Sequence, residues 1–170
     1  THDAKLFQGI ANVELAYVCD CDEGRRNSAA KELGVSSDRA LADLRRMLDD
    51  KSLDIVLIAT PDHWHAIMVI EACRNGKDVY CQKPETRTLR EGPLMVEAAR
   101  RYARVVSGGS QRVLEDYRGI VNQCWGGELG VIKSINVNVG PLSQPCNLPA
   151  EEVPTDIDWD LWLGPAPWRP

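Results

Sequence analysis

Short apolar runs alternate with stretches of helical spacing along most of the chain. Residues 1–12 (THDAKLFQGIAN) hold no apolar run and read as the tail of a helix. Residues 13–19 (VELAYVC) form a short apolar run that stops at Asp20, as a buried parallel strand does. A helix follows to Leu33, with Asp22 as its N-cap and Gly34 as its stop. Asp38 is expected to cap a second helix reaching Leu48, because Leu41, Leu44 and Leu48 recur at helical spacing. Residues 55–59 (IVLIA) are the strongest strand signal, ending in Thr60-Pro61. A helix over 63–74 stops at Asn75-Gly76, and a strand over 78–81 ends in Gln82-Lys83-Pro84. A helix over 89–102 carries Gly92-Pro93 in its first turn; a strand over 104–107 ends in Gly108-Gly109; a helix over 114–124 leads to Gly126-Gly127.

Strand and helix in alternation predict an α/β fold, a doubly wound parallel sheet with crossover helices. The pattern changes after Gly130. In 131–139 the odd positions are Val, Lys, Ile, Val and Val, and the even ones Ile, Ser, Asn and Asn. That period of two predicts a strand with one wet face, the start of an antiparallel sheet. The division expected is therefore 1–125 and 126–170, the second part being the beginning of an α+β domain. Residues 140–170, crowded with proline and tryptophan, read as an extended segment ordered by packing.

A chain of 170 residues has room for one domain, or one and part of another. Its net charge of −5 argues against nucleic acid as a partner, since no basic stripe is available. No apolar run approaches the length of a membrane span, and no signal-peptide pattern opens the sequence. The six cysteines include no C-x-x-C pair, so free buried thiols and a reducing compartment, the cytoplasm, are expected.

Ligands of open parallel sheets bind beyond the carboxyl ends of the strands. Those ends carry Asp20, then Thr60-Pro61-Asp62-His63-Trp64-His65, Gln82-Lys83-Pro84, and Gly108-Gly109-Ser110-Gln111-Arg112. A carboxylate after the second strand of such a sheet can accept from a ribose 2′-hydroxyl, which is one reading of Asp20; capping a turn is the other. His63 and His65 lack a third partner at metal-ligand spacing, so no metal is expected; capping is their alternative role, and His63 is expected to be structural.

Four segments, taken together, resemble the glucose–fructose oxidoreductase and inositol dehydrogenase family of nicotinamide-dependent enzymes: ATPDHWH at 59–65, QKP at 82–84, GSQR at 109–112 and WDLWLGPAPWRP at 159–170. The resemblance implies a Rossmann-type sheet and a hydride transfer between a sugar, polyol or related hydroxyl compound and NAD. It implies Lys83 as the active-site lysine beside nicotinamide and substrate, where acid–base work suits an ammonium. Asp20, Thr60, Pro61, Asp62, His65, Gln82, Lys83, Gln111, Trp168 and Arg169 would then line the cofactor. The null-charge Gln82 stands where the family has Glu, and Glu85 where an apolar residue is usual. Packing is the alternative for Trp168, and a plain surface turn the alternative for Lys83.

Asp20 favours NAD by repelling a 2′-phosphate, while Arg25 and Arg26 leave NADP open. The family's G-x-G-x-x-G turn is not in the chain. The first strand it follows is expected between the 13–19 and 55–59 strands, so the chain is expected to be a piece truncated at both ends, with the rest of the substrate sheet beyond Pro170. Relatives imply homo-oligomers, and some are exported already folded. Two other activities fit the resemblance: a glycosidase that uses held NAD transiently, and a nucleotide-binding relative without catalysis.

Overall fold

Among the described residues, five parallel strands fall into two sheets rather than one. The computed structural model describes residues 2–110, 117–140, 144 and 148–169. β1 (Val18–Cys19) pairs in parallel with β2 (Ala40–Leu41), while β3 (Ile55–Ile58), β4 (Asp78–Cys81) and β5 (Val106–Gly108) form a second parallel sheet in that order. Among the described residues no strand pairs with the free edge of β1 or of β3. The break falls where the sequence places a central strand.

Helices cover both faces. α1 (His2–Gln8) and α2 (Glu23–Leu33) lie on one side, where Ala4, Leu15, Val18 and Ala40 pack on buried Ala30, Leu33 and Val35. The other side is the larger core. There α3 (Leu44–Leu48), α4 (Asp62–Arg74) and α5 (Glu91–Arg101) bury Leu48, Val69, Cys73, Met95 and Ala98 against Val56, Ile58, Val79 and Cys81. Each large apolar side chain fully buried there contributes about 1.5–3 kcal/mol. The exposed Lys5–Glu32 ion pair contributes far less, about 0–1 kcal/mol.

Asp22 caps α2 by accepting from the Arg25 N–H at 2.8 Å, and Gly34 ends it at φ 73°. Pro93 sits in the first turn of α5, where a missing N–H costs no helical bond. Glu91 serves that end, its carboxylate accepting from the Arg87 and Thr88 N–H groups.

Three expectations are corrected. The helix expected from Asp38 to Leu48 is a 3-10 turn (Ser37–Arg39), then β2, then α3 capped by Asp43. Leu41 satisfies the helical spacing, but its backbone pairs with Cys19 across the sheet. The strand over 13–19 shrinks to its last two residues, because β2 offers only two partners and nothing described pairs on its other side. Residues 131–139 form no strand; Val131, Ile135, Val137 and Val139 are exposed, and an alternating segment without a ladder partner is not stable as a strand.

The chain divides into two compact units, Thr1–Gly109 with Glu151–Pro170, and Ser110–Ala150. The described part of the second contains α6 (Arg118–Trp125); the start of the helix expected at 114 lies outside the described residues. α7 (Trp159–Leu163) belongs to the first unit. No described helix is long and apolar enough to cross a membrane.

Below the sheet, Asp50 collects the loop before β3. Its carboxylate accepts from the Ser52 N–H and hydroxyl and from the Tyr17 hydroxyl at 2.8 Å, and its carbonyl accepts from the buried Lys77 ammonium. Those donors, Ser52 first, hold the Asp50 carboxyl down at about 2. A carboxyl depressed in the fold stabilises it above its unfolded pKa and stops doing so as pH falls through the folded value. The melting temperature is therefore expected to fall between pH 4 and pH 2, and Asp50→Asn to melt lower at pH 7 with a shallower acid slope; equal slopes in the two proteins would refute the assignment.

Candidate functional site

The ladder between β3 and β4 sets two turns side by side. Ile58 is the Cα partner of Cys81, and the Gln82 N–H donates to the Ile58 carbonyl at 2.8 Å. Thr60-Pro61 and Gln82-Lys83-Pro84 therefore emerge together at the carboxyl ends of the strands. β5 comes in close beside them: the Gly109 N–H donates to the Cys81 carbonyl at 2.6 Å, and a Cβ on Gly109 would sit 3.1 Å from Gln82 Cα.

His65, in the first turn of α4, is buried at 1% exposure. Its Nδ1 lies 2.7 Å from the Pro84 carbonyl oxygen and its Nε2 2.8 Å from that of Thr60. The Thr60 hydroxyl turns back to Met68 Sδ at 3.6 Å. Pro61, Asp62, His63 and Arg87 line an open hollow at the head of the helix.

Gln82 is 9% exposed and hydrogen-bonded through both ends of its amide. Its amide donates to Asp3 Oδ2 at 2.6 Å, and its Oε1 accepts from the Lys83 N–H at 2.9 Å. The amide thus joins α1 to the turn after β4, where the Lys83–Pro84 peptide is cis. Lys83 is exposed, and its ammonium makes no hydrogen bond or ion pair among the described residues.

At the end of β1, Asp20 Oδ1 accepts from the Asp22 N–H at 2.9 Å, shaping the entry to α2. Oδ2 has no partner among the described residues. Arg26 donates to the Asp20 carbonyl at 2.9 Å, and Arg25 Nε lies 3.3 Å from Asp22 Oδ2. Burial pushes the neighbouring Cys19 thiol up to about 12, helped by Asp43 and Asp20, and pushes Cys81 up to about 11. Both sulfurs stay protonated at neutral pH, so neither offers a nucleophile.

A segment from the far end of the chain straps the two sheets together. Ile157 bridges to Asp22, the Glu23 N–H donates to the Asp156 carbonyl, and the Asp158 N–H to that of Cys21. Only about 6 Å of helix further on, Trp64 Nε1 donates to the Leu161 carbonyl at 2.8 Å, and His63 Nε2 lies 2.8 Å from that of Trp162. Gly164, at φ 53°, passes so close to Trp64 that a Cβ would lie 2.5 Å from its ring. Trp159 stacks on Trp162 with centroids 4.8 Å apart and donates to the Arg169 carbonyl. Asp158 caps α7 through the Leu161 N–H.

Residues 1–110 match the sequence profile of the oxidoreductase family with an NAD-binding Rossmann fold. The chain belongs to that family. It is 29% identical over 130 residues to a Bacillus subtilis scyllo-inositol 2-dehydrogenase (NAD(+)), covering 76% of this chain and 37% of that protein. It is 30% identical over 172 residues to inositol 2-dehydrogenase 2 of Saccharopolyspora erythraea, covering 95% of this chain and 49% of the relative. Among solved structures, the myo-inositol 2-dehydrogenase of Lactobacillus plantarum superposes with a TM-score of 0.65 at 26% identity, over 75% of this chain and 38% of that one. The chain thus spans between about a third and a half of the length of these relatives.

Within this oxidoreductase fold, Asp20, Thr60, Pro61, Asp62, Gln82 and Lys83 all fall at strand ends. The His65 ring is turned inward, behind the two turns. Trp168 is 64% exposed, and Arg169 offers its carbonyl to the strap. Gln111 lies outside the described residues. Sequence reasoning missed Asp3 and Trp64. Asp3 carries no local signal, since its partner is 79 positions away; for Trp64, the tryptophans crowded at 159–168 were a hint of aromatic packing.

Replacing Gln82 by Glu would put a second carboxylate 2.6 Å from Asp3. Q82E is expected to cost about 1–3 kcal/mol at pH 7 in thermal or urea unfolding, with stability recovered in Q82E/D3N; no loss in the single variant would refute the pairing.

Proposed function

We propose that the protein containing this chain transfers a hydride between NAD and a sugar, polyol or related hydroxyl compound. The observation that carries this reading is the exposed Lys83, whose ammonium has no partner among the described residues and whose turn lies beside Thr60-Pro61, while the neighbouring Gln82 and His65 side chains are hydrogen-bonded elsewhere. The nicotinamide would supply the hydride chemistry. Lys83 would orient the reacting hydroxyl of the substrate and exchange its proton.

The residues present fit the group. Asp20 keeps Oδ2 for a ribose hydroxyl while Oδ1 fixes its own turn. Thr60, Pro61 and Asp62 would line the cofactor beside the Lys83 turn, with the Gln82 amide oxygen Oε1 holding the Lys83 N–H; Gln111, Trp168 and Arg169 belong to the cofactor set by the family motifs they complete. NAD is favoured over NADP because Arg25 and Arg26 are engaged by Asp22 and by the Asp20 carbonyl. The same reading makes 126–170 the beginning of a substrate domain along the chain, with its Glu151–Pro170 part packed back into the first unit. It also has the exposed apolar residues of 131–139 covered in a homo-oligomer. Five free thiols among the described residues support a cytoplasmic setting.

The test is a tryptophan-fluorescence titration with NAD and NADP, followed by a polyol screen for NADH. Asp20→Ala is expected to weaken NAD by about tenfold and NADP far less. Lys83→Met is expected to lose turnover by about 10²–10⁴-fold with NAD affinity nearly unchanged. Equal losses for both cofactors would overturn the Asp20 role, and NADH formation at the normal rate in Lys83→Met would overturn the Lys83 role.

A further inference from the structure

We infer that Trp64 and Gly164 are positioning residues that fix the span between the two poles of the cofactor crevice, so that the strap acts on a dinucleotide and not on either of its halves. This deepens the proposed function and rests on it. The two poles lie on separate sheets: Asp20 follows β1, and Thr60-Pro61 follows β3. Among the described residues no ladder joins the β1–β2 sheet to the β3–β4–β5 sheet.

A relay of four hydrogen bonds joins the poles instead. The Asp158 N–H donates to the carbonyl of Cys21, the residue after Asp20, at 3.1 Å. Asp158 Oδ1 accepts from the Leu161 N–H at 3.0 Å. The Leu161 carbonyl accepts from Trp64 Nε1 at 2.8 Å, and the Trp64 N–H donates to the Pro61 carbonyl at 3.0 Å. One turn of α7 thus carries the step from Asp20 to Pro61. An indole nitrogen only donates, so the bond to Leu161 has a single reading. Just beyond, Leu163 is buried and Gly164 lies against the indole. A Cβ on Gly164 would sit 2.5 Å from Trp64 Cε2 and 2.8 Å from Nε1, the atom that makes the bond. Its φ of 53° is also in the left-handed region that favours glycine.

Each pole has its own local fastening. The Asp22 N–H holds Asp20 Oδ1, and the Gln82 N–H holds the end of β3 through the Ile58 carbonyl. Undocking the strap leaves both poles shaped and changes the distance between them. A ligand that touches one pole does not sense that distance. A dinucleotide engages both, and its second contact is intramolecular, with an effective concentration set by the span.

The test is titration of the whole protein containing this chain with NAD, adenosine 5′-monophosphate and nicotinamide mononucleotide, followed by NMR so that weak binding is measured. The first mononucleotide reports on the Asp20 pole, the second on the Thr60 and Lys83 pole. Trp64→Phe removes the donor, and Gly164→Ala drives a methyl group into the indole. In both variants NAD is expected to weaken about tenfold, while each mononucleotide stays within about twofold of wild type. Equal weakening of NAD and the mononucleotides would mark a general structural lesion and overturn the inference. Unchanged NAD affinity in both variants would overturn it too.

Linkage supplies a readout in wild type that stands even where neither variant folds. A docked strap that favours NAD about tenfold is itself favoured by saturating NAD by the same factor. Exchange of the Trp64 indole proton is therefore expected to slow about tenfold with NAD and to stay unchanged with adenosine 5′-monophosphate. The same exchange rate with and without NAD overturns the inference while leaving NAD binding, and the proposed function, intact. A wild type that binds no NAD overturns the proposed function, and the role of the strap falls with it.

Discussion

Ile58 stands opposite Cys81 in the ladder between β3 and β4, and the next bond up joins the Gln82 N–H to the Ile58 carbonyl. This register requires α4 to lie close against the sheet, which its inward face of Ala66, Val69, Ala72 and Cys73 permits, the last three being fully buried. Small side chains let a helix approach; the packing then leaves no slack for the strands to slip. A one-residue slip would turn Val56, Ile58, Val79 and Cys81 out of the core. The turns at 60–61 and 82–84 are neighbours because that slip is forbidden, and the hydrogen bonds of His65 and Gln82 elaborate a proximity already imposed by burial.

How much of this was legible depends on whether the information was local. Residues 55–59 and 78–81 announce themselves by apolar runs bounded by turn residues, and α2 by Asp22 and Gly34. Asp38 and Asp43 are equally good caps in isolation; Asp43 prevails because Ala40 and Leu41 are taken by Val18 and Cys19, a partnership no window of sequence contains. Gln82 reads as a lost charge until Asp3 is seen to accept from it, for which a carboxylate at that position would be the wrong partner. The 131–139 segment shows the converse: its alternation is sound, but a strand is a property of a pair.

The strap explains how a sheet interrupted between β1 and β3 keeps both its ends in one place. Residues 156–158 hold the entry to α2 and residues 161–162 the entry to α4, so a single turn of α7 sets the spacing across the break. Asp20 on one side and Thr60 on the other keep their relation through this remote segment. Gly164 allows the close approach to Trp64 that closes it, since its positive φ and missing Cβ are both required there.

That arrangement also has a temporal side. Trp64 and Leu161 are 97 residues apart in the chain, and His63 and Trp162 are 99. The β3–α4–β4 unit is assembled from near neighbours and can close early, whereas the strap must wait for a long loop to be searched. On a ribosome, the two halves of the crevice exist before the piece that spaces them has been made. The docking of α7 then follows the closing of the β3–α4–β4 unit, and the spacing across the break is set only when Leu161 and Trp162 arrive.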